Sequence, residues 1–103
     1  MTKEEILALE PGREMDKIVM KEVMGEEPIS GDIPEYSIDL RAAWKILDKF
    51  EWASLLKGQV GLWTCTLRIY RGTNFQEYQS LSRQAPEAIC KVALMAAAGA
   101  RQT

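Results

Sequence analysis

The stretch LWTCTLRIY, residues 62–70, crowds β-branched, aromatic and aliphatic residues together with period-two alternation. In a β-strand, successive side chains point to opposite faces. One face of this strand is apolar and consists of Trp63, Cys65, Leu67 and Ile69. The other face consists of Thr64, Thr66, Arg68 and Tyr70. The stretch predicts the central strand of a small antiparallel sheet.

Turn signals on both sides of this strand mark off two further strands. The tetrapeptide RGTN, residues 71–74, predicts a hairpin loop with Gly72 and Asn74 available for positive φ. A polar and therefore half-exposed third strand is predicted over residues 75–81. On the N-terminal side, residues 52–56 predict a short edge strand that ends at Lys57 and Gly58.

Apolar residues at helical spacing occupy the N-terminal part of the chain. Thr2 and Glu5 form a capping-box pattern for a short helical turn that lasts through Leu9. Residues 12–24 predict a first full helix, with Gly25 at its C-terminal end. The next segment, 25–36, combines Gly and Pro with four acidic residues and predicts a solvated linker, because the alternating ligand pattern of a calcium loop is missing.

Two more helices are predicted, one on each side of the strands. Ser37 is the predicted cap of the first, and Asp39 is placed in its first turn, opposite in sign to the helix dipole. Its predicted buried stripe consists of Leu40, Ala43, Trp44 and Leu47. The last helix begins with Pro86 at its first position, continues through an alanine run and frays at Gly99.

These segments predict the α+β fold class. We expect a three-layer α/β/α sandwich with a small antiparallel three-stranded sheet flanked by helices, in the order α-α-β-β-β-α. The length of 103 residues predicts a single domain over residues 1–103. No apolar run approaches the roughly 18 residues of a membrane span, and the acidic start is unlike a secretory signal. We therefore expect no membrane partner.

The composition argues against most kinds of catalysis. The sequence has no histidine, which is the commonest general base near neutral pH and the commonest zinc ligand. Cys65 and Cys90 have no CxxC partner, so we expect two buried free thiols. There is no glycine-rich phosphate loop. We therefore predict that the protein is not an enzyme and uses no metal and no cofactor.

The net charge of −2 conceals an asymmetry. Residues 1–56 hold seven basic and thirteen acidic side chains, whereas residues 57–103 hold six basic and two acidic ones. Binding of duplex nucleic acid needs a basic domain, so we do not expect it. A small anion bound to the C-terminal half is electrostatically reasonable. The alternative is that the two halves neutralise each other across the fold.

Arginine and aromatic residues are concentrated around the predicted hairpin. Guanidinium groups donate forked hydrogen bonds to phosphate, and aromatic rings stack on bases. Arg83 precedes a helix N-terminus, whose amide groups favour phosphate. The candidate ligand-binding residues are Arg68, Tyr70, Arg71, Asn74, Phe75 and Arg83. The alternative is that Tyr70 and Phe75 pack across the hairpin while the arginines are only solvated.

Five separated stretches, in the same order and over nearly the whole chain, resemble the phage ABA-sandwich domain family. The stretches are EILAL with GREMD at 5–16, VMG at 23–25, YSIDL with AAW at 36–44, WTCTL at 63–67 and APEAICKVAL at 85–94. The resemblance implies an α/β/α layered fold, a phage or prophage origin and a site of action in the host cytoplasm. It implies no reaction and no catalytic residues.

Two classes of function follow as expectations. In the first, the protein is a non-enzymatic phage accessory protein that binds and sequesters a small anionic, nucleotide-derived signal of host antiphage defence, of the cyclic nucleotide or cyclic ADP-ribose type. In the second, it is a protein-interaction module that blocks or adapts a host protein through an apolar face containing Met20, Met24 and Trp52. Because a small sheet leaves open edges, we also expect a homo-oligomer.

Overall fold

We analysed the protein as a computed structural model, which describes residues 1–27 and 32–101. Three helices precede the sheet in this part of the chain, and one follows it. The elements are α1 (Lys3–Ala8), α2 (Arg13–Glu22), α3 (Leu40–Leu47), β1 (Trp52–Lys57), β2 (Trp63–Arg71), β3 (Asn74–Ser82) and α4 (Ala85–Arg101). The predicted order had two helices before the sheet, and the third is α1, which the capping-box pattern had indicated as a helical turn.

The sheet is antiparallel, with β2 between β1 and β3. The central strand, the edge strand β1 and the third strand all lie where the sequence predicted them, to within one residue at each end. Gly72 has φ of 64° in the hairpin turn, where a left-handed backbone favours glycine. Asn74 has no positive φ and is instead the first residue of β3.

Helix α4 lies at the centre of the molecule. It packs on β2 and β3, and α1, α2 and α3 pack on it in turn. Residues Ala88–Ala96 are buried around the whole circumference of the helix, because the sheet covers one side and the other helices cover the rest. The small alanine side chains allow the sheet and the other helices to pack close to the α4 backbone. Gly99 lies within α4 rather than at a frayed end, and the Tyr78 ring occupies the space beside it.

Side-chain hydrogen bonds fasten α1 at both ends. The predicted capping box is present, because Thr2 N donates to Glu5 Oε1 at 2.9 Å and Glu5 N donates to Thr2 Oγ1 at 3.2 Å. Hydrogen bonding to Thr2 lowers the pKa of Glu5. Near the C-terminal end of α1, the buried Lys91 of α4 donates from Nζ to the carbonyl of Leu7 at 2.9 Å.

A buried polar contact holds α2 against the segment before α3. Asp16 lies in the first turn of α2 and is only 3% exposed. Its Oδ1 accepts from Ser37 N at 2.8 Å and from Ser37 Oγ at 2.7 Å, and Gly12 N donates to Ser37 Oγ at 2.8 Å. These bonds satisfy polar groups that burial would otherwise penalise.

The structure corrects two predictions for α3. Ser37 bonds to α2 and does not cap α3; Asp39 is the cap, and its side chain accepts from Arg41 N at 2.9 Å. The predicted buried stripe is wrong for Leu40 and Trp44, which are 43% and 52% exposed, whereas Ala43 and Ile46 are buried. The buried residues Ala43 and Ile46 place the inward face of the helix about a quarter turn from the predicted stripe.

The predicted α+β fold class is confirmed, with the helices distributed in a specific way around the sheet. Cys65 and Leu67 of β2 are buried against α4, and α1–α3 form the layer beyond α4. The described part of the chain places no helix on the opposite face of the sheet, where Leu56, Leu81 and Phe75 are exposed. Residues 28–31 of the predicted linker lie outside the described residues.

Candidate functional site

The uncovered face of the sheet, which we call the open face, is the candidate site. It is aliphatic at one end, polar in the middle and aromatic at the other end. Leu56, Thr64 and Leu81 lie side by side at the aliphatic end, and Gln79 Nε2 donates to Thr66 Oγ1 at 3.3 Å in the middle. The aromatic end consists of Trp52, Arg68, Tyr70, Phe75 and Glu77. Three of the sequence-predicted residues, Arg68, Tyr70 and Phe75, lie at this end.

Arg68 is held between two aromatic rings at the aromatic end. Its guanidinium carbon lies 4.1 Å from the centre of the Trp52 ring and 4.6 Å from the centre of the Phe75 ring. Its Nε donates to Glu77 Oε1 at 3.0 Å. Hydrogen bonds to Tyr70 and to Glu77 raise the pKa of Arg68 further above its ordinary value. The side chain is thus a fixed cation that keeps its charge under all physiological conditions.

Tyr70 and Phe75 face each other across the hairpin. They are register partners, and their ring centres lie 5.4 Å apart with a 47° angle between the planes. Both rings keep much of their surface in solvent, at 40% and 47% exposure. The alternative drawn from the sequence was that these rings pack across the hairpin while the arginines are only solvated. The packing of the rings is observed, but Arg68 is stacked and hydrogen-bonded rather than only solvated.

Arg71 and Asn74 lie at the hairpin end of the sheet on the other face. They are register partners, and by strand alternation they share the side of Leu67 and Ile69. With Phe75 and Gln76 they line a shallow depression at the end of the hairpin. These two residues are therefore close to the aromatic end, but they lie on the opposite face of the sheet.

Arg83 does not join the other five residues. It follows β3 at the end of the sheet where Trp63 pairs with Ser82, and Phe75 lies near the opposite end of that strand. Eight residues of extended strand separate the two, which corresponds to about 27 Å. One small ligand at the aromatic end cannot reach Arg83. Five of the six predicted residues are therefore close together, and Arg83 is not part of the same site.

Two members of the aromatic end were not among the predicted site residues. Trp52 belongs there because it pairs with Arg68 across β1 and β2, and Glu77 because it pairs with Arg68 across β2 and β3. The position of Glu77 was available from the sequence, since a two-residue turn at Gly72 and Thr73 sets the hairpin register. The position of Trp52 required the register of β1, for which the intervening loop carries no comparable signal.

The two cysteines are buried, as predicted, and neither forms a disulfide. Burial raises the pKa of the Cys65 thiol to about 12 and also raises that of Cys90. Among the described residues, no three His, Cys, Asp or Glu side chains are grouped as a metal site requires. No helix in the same part of the chain is long and apolar enough to cross a membrane.

Two further surface features lie away from the aromatic end. One is a cleft of about 220 Å³ between α1, β3 and the end of α4, lined in part by Lys3, Tyr78 and Gly99; it contains none of the six predicted residues. The other consists of three exposed apolar side chains at and just before α3, which we call the α3 patch: Ile38, Leu40 and Trp44 are 43–58% exposed, and Leu40 and Trp44 line the same depression.

Comparisons with known proteins identify relatives of the chain. The family model of the phage ABA sandwich domain matches residues 4–94. A phage protein from Bacillus cereus ATCC 14579, solved as a crystal structure at 2.0 Å, is similar in fold: it superposes with a TM-score of 0.68 at 23% sequence identity, covering 84% of this chain and 91% of that one. The comparison with curated proteins gave no match.

Proposed function

The chain belongs to the phage ABA sandwich domain family, and from that premise we propose that it is a non-enzymatic phage accessory protein that binds and sequesters a nucleotide-derived signal of host antiphage defence inside the bacterial cell. The observation that carries the proposal is the position of Arg68 between the Trp52 and Phe75 rings on the open face. A fixed cation among aromatic planes offers both of the interactions that a nucleotide needs.

The bases of the ligand would stack on the exposed rings of Tyr70 and Phe75. Stacking of a base on an aromatic side chain contributes roughly 1–3 kcal/mol and depends little on which base it is. The two rings are already fixed relative to each other by their contact across the hairpin. Binding therefore costs little additional side-chain entropy.

The phosphates of the ligand would bind to Arg68. A guanidinium carries five N–H donors, and the hydrogen bonds to Tyr70 and Glu77 leave donors for a phosphate. The Glu77 carboxylate opposes an incoming anion, but both partners of this ion pair are partly exposed. Such pairs contribute at most about 1 kcal/mol, so a phosphate can displace the carboxylate at small cost.

The chemistry of the potential nucleophiles supports a binding role rather than catalysis. The sequence has no histidine to act as a general base. A cysteine nucleophile reacts as the thiolate, and the raised pKa of the buried Cys65 and Cys90 keeps both thiols protonated near neutral pH.

Isothermal titration calorimetry against cyclic dinucleotides, cyclic trinucleotides and cyclic ADP-ribose isomers tests the proposal. We expect one ligand class to bind, and we expect Arg68→Ala and Phe75→Ala each to weaken binding about tenfold or more, the value of one lost stacking or charged contact. Leu56→Ala, at the aliphatic end of the same face, is the matched control and should bind normally. The proposal is wrong if no ligand binds, or if binding is unaffected by both variants at the aromatic end.

The α3 patch favours a second candidate function, the binding of a host protein. The apolar face predicted for this role is not available, since Met20 is buried in the core, Met24 packs partly against it and Trp52 stacks on Arg68. Ile38, Leu40 and Trp44 offer an exposed apolar surface instead. If the nucleotide panel gives no heat, and a host protein is captured by the wild type and by Phe75→Ala but not by Trp44→Lys, this second function is supported.

A further inference from the structure

We infer that β3 is a dimerisation edge, and that it pairs antiparallel with the β3 strand of a second copy of the chain. The strand is nine residues long, and β2 is its neighbour on one side of the described sheet. An exposed edge of this length presents unpaired N–H and C=O groups to another strand. Proteins that stay monomeric protect such edges with lysine, proline, a bulge or a very short strand.

None of these protective features occurs in β3. Its sequence, NFQEYQSLS, contains no lysine, arginine or proline. The register with β2 runs through nine consecutive pairs without a bulge. Its one charged side chain, Glu77, is held by Arg68 of the neighbouring strand. The other edge of the sheet differs, because β1 has six residues and ends in Lys57.

The side chains of β3 are complementary to those of an inverted copy of the same strand. A two-fold axis at Tyr78 is the arrangement that pairs all nine residues. It places Phe75 of each copy opposite Leu81 of the other copy, so that this pair occurs twice, once on each side of the axis. These are the two large apolar side chains of β3 that are exposed on the open face, at 47% and 54%. An apolar cross-strand pair of this kind stabilises a sheet.

The same axis also avoids repulsion between the two copies. It places Glu77 opposite Gln79, whereas an axis one residue earlier would place the two Glu77 carboxylates opposite each other, where like charges destabilise a sheet. Self-complementarity of one surface patch is the requirement for a two-fold dimer. The pair of strands would join the two sheets into one of six strands, and Leu81 of the second copy would border the aromatic end described above.

The pairing does not depend on any ligand, so it can be tested on the purified chain. Sedimentation velocity should give twice the chain mass at micromolar concentration. Phe75→Glu and Leu81→Lys should each shift the mass to that of a single chain, because each buries a charge against an apolar partner. The double variant should recover the dimer, since the introduced carboxylate and ammonium then face each other, and this recovery should weaken in high salt.

Cysteine cross-linking tests the register. A mixture of Phe75→Cys and Leu81→Cys chains should form the mixed disulfide dimer under mild oxidation, while either variant alone should not, because its two cysteines would be about 20 Å apart. The native Cys65 and Cys90 are buried and do not interfere. A single-chain mass for the wild type, a dimer that persists in both single charge variants, or failure of the double variant to recover the dimer would overturn the inference. Far-UV circular dichroism establishes that each variant is folded.

Discussion

Asp16 accepts two hydrogen bonds from Ser37, one from the backbone N–H at 2.8 Å and one from the hydroxyl at 2.7 Å. Both residues are buried, at 3% and 1% exposure. The contact fixes the chain segment before α3 to the first turn of α2, although the residues are 21 positions apart. A carboxylate at this depth is tolerated because it is hydrogen-bonded, so the pair is expected to contribute to stability.

Replacing Ser37 with alanine should lower the free energy of unfolding by about 2 kcal/mol. The change removes the hydroxyl bond to Asp16, and it leaves Gly12 N without the acceptor it contacts at 2.8 Å. Hydrogen bonds to charged groups contribute about 1.5–3 kcal/mol. Urea denaturation followed by circular dichroism measures the change.

Ser80 provides the matched control for this prediction. It is also a buried serine, at 2% exposure, but its hydroxyl has no hydrogen-bond partner within the described part of the chain. Removing an unpaired buried hydroxyl should leave stability unchanged or raise it slightly. If Ser37→Ala is no more destabilising than Ser80→Ala, the Asp16–Ser37 contact has no energetic importance.

Replacing Gly99 with alanine should destabilise the protein, against the intrinsic helix preference. Alanine is favoured over glycine by about 1 kcal/mol inside a helix. At this position, however, a Cβ atom would overlap the Tyr78 hydroxyl and lie 2.8 Å from its Cζ atom. The ring would have to leave the space against α4 that it fills. Thermal unfolding of the single variant measures the net effect.

The sign of the Gly99→Ala effect should reverse once Tyr78 is removed. In a Tyr78→Ala background there is no ring to displace, so the substitution should raise stability by up to about 1 kcal/mol. This double-mutant cycle separates the steric cost from helix propensity. An equal effect of Gly99→Ala in both backgrounds would show that the contact with Tyr78 does not limit the choice of residue.

Replacing Glu77 with glutamine should leave stability nearly unchanged and strengthen ligand binding. The ion pair with Arg68 is partly exposed on both sides, so its loss should change the free energy of unfolding by less than about 1 kcal/mol. The substitution removes the carboxylate that opposes a phosphate at the aromatic end. Calorimetry with the ligand found for the wild type should show a lower Kd. Weaker binding would mean that Glu77 contacts the ligand directly.

The two thiols should make stability fall with rising pH in the alkaline range. Burial raises the pKa of Cys65 from 9.0 to about 12, so the native protein holds this thiol protonated where the unfolded chain has lost the proton. The resulting loss of stability begins near the unfolded pKa and continues toward the native one. The free energy of unfolding should fall between about pH 8 and about pH 10. This fall should be smaller in the Cys65→Ala, Cys90→Ala double variant than in the wild type. A thiol reagent should label neither cysteine in the native state at neutral pH.

The strands could be predicted because their signals are local. Alternation over residues 62–70 identified β2, and Gly72 marked the turn that sets the register with β3. The start of α3 could not be predicted from similar reasoning. Ser37 and Asp39 are both good capping residues, and the choice depends on Asp16, which competes for Ser37 from a distant part of the chain. Trp44 was assigned to the wrong face because Leu40, Trp44 and Leu47 also lie at helical spacing, and the local pattern does not show that Ala43 and Ile46 face inward.

The residues of the candidate site could also be predicted only where their proximity depends on local sequence. Arg68, Tyr70 and Phe75 lie on one hairpin, so their proximity follows from local register. Arg83 was grouped with them because it precedes a helix N-terminus that favours phosphate, but the extended strand β3 places it at the opposite end of the sheet. Trp52 was assigned to another surface because its contact with Arg68 depends on the register between β1 and β2, which the loop between them does not specify.

The central position of α4 has a consequence for biosynthesis. Every other element buries its apolar side against this helix or against the sheet that rests on it, yet α4 follows all of them in the chain. A ribosome therefore releases α1–α3 and the strands before the surface on which they dock exists. Cooperative folding should begin only when α4 has left the exit tunnel, and a nascent chain stalled before Ala85 should be sensitive to protease.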